Sequence, residues 1–309
     1  MRRAELAVVL AVAIGCSERS SDAPPEPTPR VEPPIELWLG GDVHVAEDRA
    51  NRLYPLWPQI GGAVGIVNLE GPIADDAATG DGLRLHNDPA AVVALDQTGV
   101  RVVGIANNHA LDSGEEGPRR TAEAARSAGF IPAGLEAGVA LVEAGGGRVV
   151  AITAHDLSLG PIADLEGQLA RARASADVLV ATFHVTGPPS YLPRPELRAA
   201  VDAAIEIGGA LVVAAHGSHA VGPVERRGDA VIAWGLGNLL FSCDCTSEID
   251  GAILRVSIDG SRVGARIVPI DAGLEGAAAR PSHDPELMLD LLEALGSTRL
   301  TRWQGTAFF

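Results

Sequence analysis

Asp42 and His44, Glu70, Asn108, His184, and His216 with His219 are the residues of this chain whose types suit metal chemistry. Each stands just past the end of a β-branched apolar run. The runs are 35–39, 63–67, 100–106, 178–183 and 210–215, and short apolar runs of this kind predict buried strands. Open α/β sheets bind ligands beyond the carboxyl ends of their strands. The pattern therefore directs two carboxylates, an Asn amide and up to five imidazoles, His109 included, to one rim. Such a mixture of hard oxygen and borderline nitrogen donors suits Zn, Mn or Fe. The chemistry it predicts is that of a metal-dependent hydrolase or a relative of one.

Each cluster also has an ordinary reading. Asp42 and His44, two apart after a strand, can face one metal or belong to a Gly-Gly-Asp turn. Glu70, in Asn68-Leu69-Glu70-Gly71-Pro72, can bridge two metals or cap a turn. In Asn107-Asn108-His109-Ala110-Leu111-Asp112 the amide can bind metal. There His109 can protonate a leaving oxygen and Asp112 can orient it. The same stretch reads as an Asn-rich turn in which Asp112 or Ser113 caps a helix. His184 is a ligand or a satisfied structural histidine. His216 and His219, three apart on one loop, have ligand-like spacing. His86, His155 and His283 read as connection and loop residues, His155 being the better placed for a substrate contact.

The elements that must position these residues alternate at first. Strands are expected at 35–39, 63–68, 100–106, 177–183, 210–215, 230–234, 251–258 and 265–270. Helices are expected at 89–99, 117–128, 165–174, 195–207 and 285–295, with Pro near several starts and Gly at several ends. Gly145-Gly146-Gly147 between 139–143 and 148–153 signals a hairpin. Residues 49–60 read as an irregular, partly helical connection. Two packed sheets with helices outside fit this order.

The 309 residues are 47% hydrophobic and 4% aromatic, which predicts a core of Val, Ile, Leu and Ala. A formal charge of −16 disfavours nucleic acid and anionic membrane surfaces as partners. Residues 1–15 pair Arg2 and Arg3 with a short apolar stretch, Leu6 to Ile14, and Cys16 follows. That stretch falls short of the ~20 residues a bilayer span needs. The pattern resembles a bacterial lipoprotein signal, with lipid expected on Cys16 and the protein exported and anchored to the cell envelope. Residues 16–34, rich in Pro, read as an extended tether. Cys243 and Cys245, two apart, read as structural or incidental rather than as a disulfide, which at this spacing is strained. They lack a second pair to complete a metal site.

Taken together, GDVH at 41–44, NLEGPI at 68–73, ANNHALDSGEEG at 106–117, TFH at 182–184, AAHGSHAVGPVE at 214–225 and AWGLGNLLFS at 233–242 resemble the bacterial CapA family. That family is named for capsule synthesis, is linked to poly-γ-glutamate, and lies within the calcineurin-like metallophosphoesterase superfamily. The resemblance implies an α/β fold, a four-layer αββα metallophosphatase-like sandwich, over 35–272, with a C-terminal helix and tail at 273–309. It implies two divalent transition-metal ions: one held by Asp42, His44 and His219, the other by Asn108, His184 and His216, with Glu70 between them. His109 becomes the general acid and Asp112 its orienting partner. The chain departs from the family pattern at His216-Gly217-Ser218-His219, where the family has His-His-Pro-His. It departs again after His184, where Trp-Gly and a Glu-Tyr pair are missing, and at Ser242, where the family has Asp. The implied function is a hydrolase acting on a small phosphoester or a cell-envelope polymer. The alternative is a noncatalytic accessory subunit of capsule polymer synthesis or export, partnered with capsule-synthesis subunits.

Overall fold

A computed structural model of the chain describes residues 32–45, 51–75, 82–135, 138–187, 190–243 and 245–309. The expected signal, Cys16 and most of the tether lie outside the described residues.

Four strands begin one sheet: β1 (Ile35–His44), β2 (Val64–Leu69), β3 (Val100–Gly104) and β4 (Ile131–Ala133), all parallel and in that order. The chain then builds a second sheet. Its order is β5 (Ala140–Ala144), β6 (Arg148–Asp156), β7 (Val178–His184), β8 (Val212–His216), then β10 (Ala230–Ala233) ahead of β9 (Val224–Arg227). β6, β7, β8 and β10 run parallel, and the outer strands β5 and β9 are antiparallel to their neighbours.

The remaining strands return to the first sheet. β11 (Asn238–Phe241) lies parallel to the upper part of β1, Asp42 to His44. β12 (Asp250–Asp259) lies antiparallel to its lower part, Ile35 to Leu39, and continues as a hairpin into β13 (Arg262–Asp271). The segment expected as a helix and tail adds β14 (Gly273–Leu274), β15 (Arg280–Pro281), β16 (Thr301–Trp303) and β17 (Thr306–Phe308). They pair with β11, with β13, or with each other.

Three apolar clusters define the layers. Leu37, Leu39, Ile66 and Val102 of the first sheet meet Ile152, Val180, Val212 and Val231 of the second. On the outer face of the first sheet, Trp38, Val67 and Val103 pack with α1 (Trp57–Ile60), α2 (Pro89–Val93) and α3 (Gly117–Ser127). On the outer face of the second, Leu179, Phe183 and Val213 pack with α4 (Leu165–Ala174) and α5 (Pro195–Glu206). The result is the four-layer αββα sandwich. A sixth helix, α6 (Pro285–Ala294), adds Met288, Leu289 and Leu292 to the central cluster, and its N-cap Asp284 accepts from Leu287 N.

Two local expectations are corrected. The run 89–99 is not one helix: α2 gives way to a 3₁₀ turn at Ala94–Thr98, closed by Gly99 at φ 79°. Val92, Val93 and Thr98 give this short run little helix propensity. Cys243 and Cys245 are joined as a disulfide, because their loop brings the Cα atoms to 5.1 Å, within the usual range for the bond. No helix among the described residues is long and apolar enough to cross a membrane.

Candidate metal centre

A strand exposes alternate residues to opposite faces, so a site between two sheets must be built from positions of one parity. The second sheet obeys this without interruption. Val150, Ile152 and Ala154 face the first sheet, and Asp156 is the next position in the series. Val180 is followed at the same spacing by Thr182 and His184, and Val212 by Ala214 and His216. Asp156 pairs with His184, and His184 with His216, so three polar side chains end three adjacent strands side by side.

The first sheet needs a correction to its count. Leu39 pairs with Ile66 and Asp42 with Asn68, so Gly40 and Gly41 together oppose one residue of β2. This is a β-bulge, and it reverses the faces of everything after it. Leu37 and Leu39 point at the second sheet, whereas Val43 and Val45 point at the outer helices. Asp42 and His44 thereby turn inward. Glycine is required because a Cβ on Gly41 would overlap the Gly237 carbonyl oxygen.

Asp42, Glu70 and His184 each offer one ligand atom within 4.8 Å of the others, and all three are buried. His216 Nδ1 lies 3.6 Å from Asp42 Oδ1, and His219 Nδ1 lies 3.5 Å from Asp42 Oδ2. His219 Nε2 lies 3.9 Å from Glu70 Oε1. The backbone of His219 has φ 51°, a left-handed conformation that His tolerates better than most residues. Asn108 Oδ1 lies 2.8 Å from His184 Nε2. His44 shares the inward face, but its Nε2 bonds the His86 carbonyl at 2.9 Å. His109 Nδ1 lies 2.7 Å from Asp112 Oδ2, which also accepts from Leu85 N.

Four residues without an assigned role in the sequence reading complete the surroundings. Asn68 donates to Asp42 Oδ1 at 2.9 Å and lies 3.4 Å from His184 Nδ1. Asn238 Oδ1 lies 2.8 Å from His219 Nδ1. Asn87 binds the Glu70 carbonyl, fixing the turn that carries the carboxylate. Asp156 was legible as the inward continuation of Val150, Ile152 and Ala154. Gly217 also becomes explicable: it donates to Asp42 Oδ2, and a Cβ there would lie 2.6 Å from His184 Nε2.

The donor set fits a divalent cation. Glu70 Oε2, His44 Nδ1 and His216 Nδ1 are buried with no hydrogen-bond partner among the described residues. Buried polar atoms are rarely left so, and three at one rim indicate a ligand. Burial, then Asp42, Asp156 and Asp112, raise the pKa of Glu70 well above the usual carboxylate range. A cation relieves both causes. Burial lowers His44 and His184 to about 4 and also lowers His216, which keeps these imidazoles in the neutral form that ligates metal.

Fold and rim together define a four-layer α/β protein with a metal-binding type of site between its two sheets. Residues 58–243, more than half of the chain, match the family described as bacterial capsule synthesis protein PGA_cap. The chain belongs to that family. Among solved structures it is similar to TT1561 of Thermus thermophilus, with 14% identity and a TM-score of 0.45 over 75% of this chain and 98% of that one. It is also similar to the calcineurin-like phosphoesterase YfkN from Bacillus subtilis, with 10% identity and a TM-score of 0.39 over 85% and 99%. No curated protein matches it in sequence.

Proposed function

We propose that this protein is an exported, lipid-anchored, metal-dependent hydrolase of the metallophosphoesterase type, acting on a phosphoester or a cell-envelope polymer. The observation that carries the reading is the buried group Asp42, Glu70 and His184, with unpartnered ligand atoms around it. Asp42, His44 and His219 would hold one ion and Asn108, His184 and His216 a second, with Glu70 between them. Mn, Zn or Fe suits these donors. Such ions supply positive charge to a phosphoryl oxygen and lower the pKa of water.

The chain's own residues do the rest. The Asp112 carboxylate holds the Nδ1 proton of His109, leaving Nε2 to carry a proton toward the leaving oxygen. Leu85 N donates to the same oxygen, Oδ2, and Arg84 lies 3.6 Å from the other, Oδ1. Asn68 and Gly217 N hold Asp42 in one orientation. Burial of the rim excludes bulk water, so each of these charges acts in a low-dielectric setting.

The family's description favours a second reading, because it names synthesis rather than hydrolysis. In that reading the same site binds metal without turnover, and the protein serves capsule polymer assembly. Metal content and hydrolysis of aryl phosphate mono- and diesters, measured together on purified protein, separate the two. About two ions per chain with turnover support the hydrolase. Ions without turnover favour the accessory role, and a protein that takes up no ion overturns both metal readings. The anchor is tested by Cys16→Ser, which should release the protein from membranes.

A further inference from the structure

Val256, Ala265 and Ala307 lie in the central cluster between the sheets. Their neighbours Arg255, Ser257, Gly264, Arg266 and Phe308 therefore face the other way, toward the outer surface of the first sheet. There the register sets Trp38 opposite Arg255, Arg255 opposite Arg266, and Arg266 opposite Phe308. Two guanidiniums thus stand directly across from each other on β12 and β13. Like charges in that relation destabilise a sheet.

The two arginines are not equally provided for. Arg255 Nη1 donates to the carbonyls of Gln59 and Gly61, and its Nη2 lies 3.4 Å from Glu36 Oε2. Arg266 is half-buried, yet it makes no hydrogen bond or ion pair among the described residues. Burial, and then the charge of Arg255, push its guanidinium below its ordinary pKa. Both arginines line a concavity of about 330 Å³, together with Glu36, Ser257, Gly264 and Phe308. Gly264 leaves the floor open because it has no side chain. Two cations against the one carboxylate of Glu36 leave a surplus of one positive charge, on a chain whose formal charge is −16.

We propose that this concavity is a binding site for a singly charged oxyanion, a carboxylate or phosphodiester group. Such a group compensates the surplus charge and separates the two guanidiniums. Guanidinium forks offer only donors, in a geometry that matches these anions, and the Ser257 hydroxyl adds another donor. Phe308, 44% exposed, supplies an apolar wall for whatever carries the anion. The site is separate from the metal rim: Trp38, beside Arg255, precedes His44 by six residues of β1, roughly 20 Å. Anion binding here requires neither metal nor turnover.

The test is titration of the full chain with acetate and with dimethyl phosphate by calorimetry, at constant ionic strength, with chloride as the reference anion. Arg266→Gln should bind about tenfold more weakly, the loss expected for one charge-assisted hydrogen bond. In chloride it should melt no lower than the parent, because it loses a like-charge contact. Gly264→Leu keeps both arginines and fills the space between them. A Cβ at Gly264 meets only ordinary contacts, 3.7 Å and beyond, so this variant should fold and also lose binding. Binding of acetate alone assigns a carboxylate, and binding of dimethyl phosphate alone assigns a phosphodiester. Three results overturn the proposal. The first is that neither probe binds more tightly than chloride at millimolar concentration. The second is that Arg266→Gln or Gly264→Leu leaves binding unaltered, which would mean diffuse charge rather than a built site. The third is a clear loss of stability in Arg266→Gln, which would give that guanidinium a structural role.

Discussion

His184 Nε2 and Asn108 Oδ1 lie 2.8 Å apart, and the contact spans the gap between the two sheets. On its other side the same ring meets Asn68 Nδ2 at 3.4 Å. One tautomer serves both neighbours: the proton on Nε2 goes to Asn108, and the lone pair of Nδ1 faces Asn68. The imidazole is thus held by two amides whose own positions are set by the first sheet. A cation at the rim would find the oxygen of one amide and the imidazole already together. Removal of either amide takes away one of the two contacts that orient the ring.

Glu70→Gln should act in opposite directions with and without metal. In chelator at neutral pH the buried carboxylate is a burden, and the amide should raise stability by about 1–4 kcal/mol. With Mn or Zn added, the parent protein should gain stability from the ion and the variant should gain little. Thermal melts in the two conditions measure this. Equal stabilisation of both proteins by metal would remove Glu70 from the site.

His109→Ala should retain metal and lose about 10²–10⁴-fold in hydrolysis, the range for a lost general acid. Esters with acidic leaving groups need less help from a proton donor and should suffer least. Steady-state rates across a series of leaving groups, with metal content measured in parallel, decide the matter. A uniform loss across the series would count against proton donation.

Burial lowers His155 to about 4 from its ordinary 6.5. The unfolded chain therefore takes up a proton first as pH falls. Stability should drop between pH 6.5 and about 4 and level off below that. At about 1.4 kcal/mol per unit, this one group accounts for up to about 3 kcal/mol. Chemical denaturation across this range should show a shallower decline for His155→Leu than for the parent, and parallel curves would refute the assignment.

Gly41→Ala should cost about 1–3 kcal/mol or more, because the added methyl group meets the Gly237 carbonyl. Gly62→Ala is the comparison, since a Cβ there meets nothing within 4 Å and only the φ of 76° opposes it. If Gly41→Ala proves the milder of the two, the close approach of β1 and the 237 segment is not tight in solution.

Much of this was legible in the sequence, for identifiable reasons. The strands beneath His184 and His216 are plain apolar runs, and the helices at 117–127, 165–174 and 195–206 carry Pro, Gly or amphipathic signals at readable places. β1 was not read past Leu39, because Gly40-Gly41 resembles a turn and only its pairing shows it to be a bulge. Asp156 hid behind His155, its more conspicuous neighbour, although parity along β6 points to the carboxylate. Asn238 belonged to a recognised stretch, but its bond to His219 crosses 19 positions and leaves no local pattern. β16 and β17, three residues each, are too short to carry periodicity, and β17 is recruited by β13 rather than by its own composition.

The bulge at Gly40-Gly41 gives this rim an unusual kind of vulnerability. Most sites fail when a side chain is exchanged; this one also fails when the chain is miscounted. Removing a single glycine would leave every donor present in the sequence. It would nevertheless send Asp42 and His44 toward the outer helices and bring Val43 and Val45 to the rim. The strand behaves like a reading frame with a period of two, and the extra glycine is the shift that puts the acid and the imidazole in phase with Asn68 across the pair. Chain length, independent of composition, is therefore one of the determinants of its chemistry.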